Sequence, residues 1–150
     1  MKNTISPEIL QPIFDKVATH FLSMPKPSVS DDKALCLYRD PDSGNRCFIG
    51  ALIQDEDYDP AIEGRAIRVY ASTKNSTNST LETAVVRGLN ALGIEIDELD
   101  DDLRDTLDDL QHIHDAWGDG ACTKETAHKR LISFAKKRKL SAAALTGEAQ

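Results

Sequence analysis

A chain of 150 residues with 40% hydrophobic and 29% charged side chains has the composition of one globular domain, which excludes a disordered or fibrous polymer. A domain of this length buries roughly two-thirds of the surface its unfolded chain exposes, so neither a disulfide nor a structural metal is required to hold it together. The net charge of -7 opposes generic attraction to nucleic acid or an anionic membrane. No apolar run approaches the length of a membrane span or supplies a signal-peptide core, which points to the cytoplasm.

Ser6-Pro7 has the form of a helix start, a hydroxyl cap followed by proline in the first turn. Leu10, Phe14, Val17, Phe21 and Met24 follow as one apolar stripe, with the start uncertain by a turn because of Pro12, and Pro25 and Pro27 end the helix. Ala34 to Tyr38 reads as a strand running into the turn Asp40-Pro41-Asp42-Ser43-Gly44, where Gly44 can adopt the left-handed conformation that closes a hairpin. Cys47 to Ile53 is apolar throughout and is core, either as a returning strand or as a buried helical turn. Gly64 to Tyr70 alternates apolar and basic residues and suggests a third strand.

Ser72 to Thr80 has nothing to bury and reads as an exposed, mobile connection. Its two Asn-x-Thr patterns belong to that polar loop, since no secretory context accompanies them. A helix then begins, with capping-box spacing between Ser79 and Glu82, a stripe of Leu81, Val85, Leu89 and Leu92, and Gly93 placed to end it. The next helix carries Leu103, Leu107, Leu110, His114 and Trp117 on one face before Gly118, and Thr123 caps a last one that buries Ala127, Leu131, Phe134 and Ala135. The expected fold is α+β and helix-dominant, about four main helices with a small antiparallel hairpin or three-stranded sheet. One domain spans 1–140, and 141–150 is expected to be a flexible tail.

Cys36, Cys47 and Cys122 are odd in number and contain no CxxC, the pattern of reduced packing thiols. His112 and His114 point roughly 200° apart on a helix and cannot share one ion. His114 lies in the apolar stripe, where a satisfied structural hydrogen bonder is the ordinary role, and His20 flanks the first stripe in a similar way. Convergence of His20, Cys47, His114 and Asp115 would make a zinc site, but no spacing requires it, and neither metal nor cofactor is expected. A thiol enzyme would need a cysteine activated by histidine, whereas these sit among apolar residues. No GxSxG, phosphate-binding glycine loop or HExxH occurs.

Val17-Ala18-Thr19-His20, Cys47 to Ile53, Tyr58-Asp59-Pro60 with Glu63-Gly64, and Leu110-Gln111 with His114-Asp115 together resemble a family of small uncharacterised phage and prophage proteins, over residues 12 to 117. The resemblance implies a phage or bacterial setting and no particular chemistry. It groups His20, Cys47, Tyr58, Glu63, His114 and Asp115 as a candidate ligand-binding or structural polar cluster.

Nine acidic residues stand against Arg104 alone between Glu95 and Asp109, while Lys124 to Lys139 holds seven basic residues and one acid. Asp101, Asp105, Asp108 and Asp109 fall opposite the leucines, where like charges cost a few tenths of a kcal/mol per pair. They form a solvated face, a face opposed to the basic helix of the same molecule, or a surface for a basic partner. The leading expectation is a non-enzymatic, acidic phage accessory protein in the bacterial host cytoplasm. It would bind a basic host protein, as an anti-CRISPR-like inhibitor of a nucleic-acid-targeting defence system does. Direct contact with nucleic acid or membrane is not expected, and a homodimer stays open. The alternatives are a small His/Cys-based metal- or ligand-binding domain or enzyme, and a structural phage component.

Overall fold

A computed structural model describes residues 5–30, 36–63 and 77–146. Helix α1 spans Pro7–Ser23. Ser6 Oγ accepts the Glu8 amide at 3.2 Å and proline occupies the first turn, so the helix starts at the first of the two candidate positions. Pro12 sits inside it without ending it. Leu10, Ile13, Phe14, Val17, Ala18 and Phe21 are buried.

The expected hairpin does not form, and the α+β class is corrected to an all-helical one among the described residues. These hold six α-helices and two 3₁₀ turns, with a single isolated bridge between Val29 and Cys36 in place of a sheet. The turn itself is present. Gly44 takes φ +75°, its amide reaches Asp40 O at 2.8 Å, and Asp40 Oδ1 accepts the Asp42 amide. Beyond the turn the chain becomes helix α2, Phe48–Leu52, the buried-helix alternative for this segment.

Three contacts account for the choice. The Tyr38 and Arg39 amides, which a paired strand would offer to its neighbour, both donate to the Glu63 carboxylate, at 2.9 and 3.0 Å. Cys47 Sγ caps α2 by accepting the Gly50 amide at 3.4 Å. Gly50 then lies against the Tyr38 backbone so closely that a Cβ there would stand 2.0 Å from Tyr38 O. The strand proposed at Gly64 to Tyr70, the start of the one at Ala34, and most of the Ser72–Thr80 connection lie outside the described residues.

Helix α3, Thr77–Ala91, begins before Ser79, so the end of the expected loop is helical and Ser79 is not its cap. Gly93 ends it as expected, with φ +91° and the Ile94 amide returning to Leu89 O at 3.1 Å. Helix α4, Asp101–Gly118, is capped by Asp100 Oδ1 on the Leu103 amide at 2.8 Å. Gly118 is its last residue for a packing reason. A Cβ there would meet Val29 Cγ1 at 2.9 Å and Cys36 Sγ at 3.1 Å, and the left-handed glycine is Gly120.

Helix α5, Lys124–Lys137, is capped by Thr123 and packs against α1 through stacked Phe14 and Phe134, 6.0 Å apart. Part of the segment assigned to a flexible tail is instead a short helix α6, Ala143–Thr146, lying against α1. Gln11 holds both backbone groups of Ser141, at 2.8 and 3.0 Å, and Leu145 is buried. One apolar cluster joins residues of all six helices.

Candidate functional site

The inward face of α4 carries polar residues within its apolar stripe. His114 is fully buried between Phe48 and Trp117, whose rings stand 5.4 and 6.2 Å from its own. Its Nε2 accepts the Ser28 amide at 3.0 Å, and because that backbone N–H can only donate, Nε2 carries no proton. The proton is therefore on Nδ1, which donates to Asp115 Oδ1 at 3.2 Å. Gln111, one turn earlier, donates to the same oxygen at 2.8 Å while its Oε1 accepts the Ile49 amide at 3.0 Å. Burial raises the Asp115 pKa, but hydrogen bonds from His114, Cys36 and Gln111 outweigh it together and hold the carboxyl below its ordinary value.

The network ties α4 to two backbones, at Ser28 and at Ile49. Ser28 in turn pairs with Leu37 through a 2.9 Å backbone bond and its hydroxyl, so the paired segments around 28 and 37 are anchored on His114. His114 is buried and bonds polar groups, the role that its place in the apolar stripe predicts.

Cys36, His114 and Asp115 bring one thiol, one imidazole nitrogen and one carboxylate oxygen within 4.8 Å of one another. This is the chemistry of a zinc donor set. It would need a lone pair on Nδ1, however, and the Ser28 amide fixes the tautomer that has a proton there. Nucleophilic chemistry is opposed as well. Burial and then Asp115 push the Cys36 thiol far above its ordinary value, and burial raises Cys47 to about 12. The imidazole nitrogen that would serve a thiol as base is already occupied by Ser28. The arrangement acts as a structural latch.

The six residues grouped from sequence divide into separate sites. His114 and Asp115 share the latch, with Cys47 beside Gln111. Tyr58 and Glu63 form a second site, where the phenol donates to Glu63 Oε2 at 2.6 Å and the Arg39 guanidinium lies 4.5 Å above the ring. Arg39 and Arg46 both pair with Asp55. His20 joins neither, since its Nε2–H donates to Arg46 O at 2.7 Å. Sequence reasoning missed Ser28 and Arg39, and it gave no place in this network to Cys36, read as a packing thiol, or to Gln111, named only within the resembling motif. Only Gln111 left a signal, its four-residue spacing from Asp115 on one helix face. His112 is exposed and leans on Asp108, on the face opposite His114.

The four aspartates proposed for a partner are unequally available. Asp101 has a side chain 94% exposed and pairs with Arg104 at 3.0 Å. Asp105 and Asp108 are half-buried. Asp109 pairs with Arg138 at the end of α5, at 2.9 Å. A denser run of exposed acids lies earlier, in the connection from α3 to α4 and at the first residue of α4. There Ile94 and Leu99 turn into the core while Glu95, Asp97, Glu98, Asp100 and Asp101 are all exposed. Arg104 reaches this edge only in part, since its Nε is held by Glu82 at 2.6 Å.

No protein family, curated protein or solved structure matches the chain. No helix among the described residues is long and apolar enough to cross a membrane.

Proposed function

We propose that this chain is a non-catalytic binding protein that engages a partner with a basic surface through the acidic edge from Glu95 to Asp101. The single observation that carries the reading is the outward display of five carboxylates, four on the connection and Asp101 at the start of α4, beside Ile94 and Leu99 anchored in the core. Carboxylates held on a fixed backbone give complementarity without the ordering cost that a disordered acidic tail would incur. The surfaces they complement best are those that bind nucleic acid, because these are evolved to accept closely spaced negative charge. In the phage setting that the sequence resemblance suggests, such a partner is a host protein of nucleic-acid-targeting defence, and the chain is its inhibitor. The occupied imidazole and raised thiol pKa values support a binding role over a catalytic one.

The test is affinity capture from bacterial lysate with the wild type and with Glu95→Gln, Asp97→Asn and Glu98→Gln combined. The wild type should retain a dominant basic protein that added DNA or RNA displaces, and the variant should lose it. Equal capture by a folded variant, at low and high salt alike, would overturn the reading.

A further inference from the structure

Two hollows of about 530 and 410 Å³ adjoin on the face formed by the segments around 28 and 40, sharing Ser30 and Asp40 between them. The first opens over Tyr58, Pro60 and Leu37, the second over Trp117 at the end of α4. From this geometry we infer that the two form one groove that receives a basic segment of the partner, a second contact that rests on the binding function proposed above. The apolar walls suit the aliphatic stems of arginine or lysine, and the carboxylates suit their charged ends.

Among the described residues, Asp40, Asp42, Glu63 and Asp119 line the groove, together with the cations Lys26 and Arg39. Arg39 is already compensated, by Asp55 at 2.7 Å and by the Tyr58 ring beneath it. The C-terminal end of the 18-residue α4 also points its negative dipole end at the hollow beside Gly118 and Asp119. Carboxylates outnumber cations along the described lining, so a cationic segment meets more complementary charge in the groove than an anionic one would. The face is also separate from the acidic edge. Asp101 and Trp117 stand at opposite ends of α4, about 24 Å apart along its axis.

Trp117 is the sole tryptophan, so its emission reports on this groove and not on the edge. The probe is a capped hexapeptide alternating arginine and leucine, with a control in which glutamine replaces arginine. Addition of the arginine peptide should produce a saturable change in Trp117 emission that the glutamine peptide does not. Reversing charge with Asp42→Lys, at an exposed turn position, should weaken the apparent affinity by about tenfold, while Glu98→Gln with Asp101→Asn leaves the emission change intact. If calorimetry shows the arginine peptide binding while Trp117 emission stays constant, or if Asp42→Lys changes nothing, the groove is not the contact, and the acidic-edge reading stands on its own capture test. Equal response to both peptides, or binding of neither, also overturns the groove.

Discussion

His114 concentrates the chemistry of the fold in one side chain. Replacing it with alanine leaves the Ser28 amide without an acceptor and opens a cavity against Phe48 and Trp117, and the two costs together reach about 3–5 kcal/mol. Urea unfolding of His114→Ala should show that loss, and His114→Gln, which can still accept from an amide, should show less. Stoichiometric zinc in the purified wild type, absent from His114→Ala, would refute the latch. Gly88 tests a different principle. Inside an ordinary helix Gly→Ala stabilises by about 1 kcal/mol. Here a Cβ would stand 1.7 Å from Leu52 O, where α3 crosses the end of α2. Gly88→Ala should therefore destabilise by several kcal/mol or force the two helices apart, and thermal unfolding gives the sign directly.

Among the elements, α6 and α4 make separable claims. Truncation after Leu140 removes buried Leu145 and both Gln11–Ser141 bonds, so it should cost about 2–4 kcal/mol and expose part of α1 to proteolysis. A truncated chain as stable as the full one would show that α6 only rests on the surface. On α4, the combined Asp101→Asn, Asp105→Asn and Asp108→Asn variant should remain folded, with stability within about 1 kcal/mol of wild type measured by urea unfolding. Asp101 forms an exposed ion pair with Arg104, which contributes little, while relief of like-charge repulsion works the other way. Unfolding of this variant would mean that the half-buried Asp105 and Asp108 are structural.

For the whole molecule, pH sensitivity follows from two groups with the same sign. Burial leads the causes that lower the His20 pKa from 6.5, so the unfolded chain binds that proton more readily. The His20 contribution is complete above pH 6.5 and is lost as pH falls through that value. Asp115 is also depressed, from 3.8, and its contribution is lost at lower pH still. The melting temperature should therefore fall between pH 7 and 5, before carboxylates titrate, and His20→Gln should flatten that portion. A pH-independent wild type across this range would show that His20 titrates alike in both states.

The sequence by itself determined the helices whose signals are local. Ser6-Pro7, Thr123 and Gly93 mark their ends, and the spacing of leucines and phenylalanines marks their buried faces, because capping and 3.6-residue periodicity depend only on near neighbours. The burial of His114 was legible for the same reason. Only the tertiary structure decided what the segments from Cys36 to Ile53 become. A β-prone run pairs with a neighbour only if its amides are free, and here Glu63 takes those of Tyr38 and Arg39 while Gly50 admits α2 against the Tyr38 backbone. The division of the six grouped residues into latch, Tyr58–Glu63 pair and isolated His20 was decided in the same way. Which polar groups meet is set by how distant segments cross, and no spacing along the chain encodes that distance.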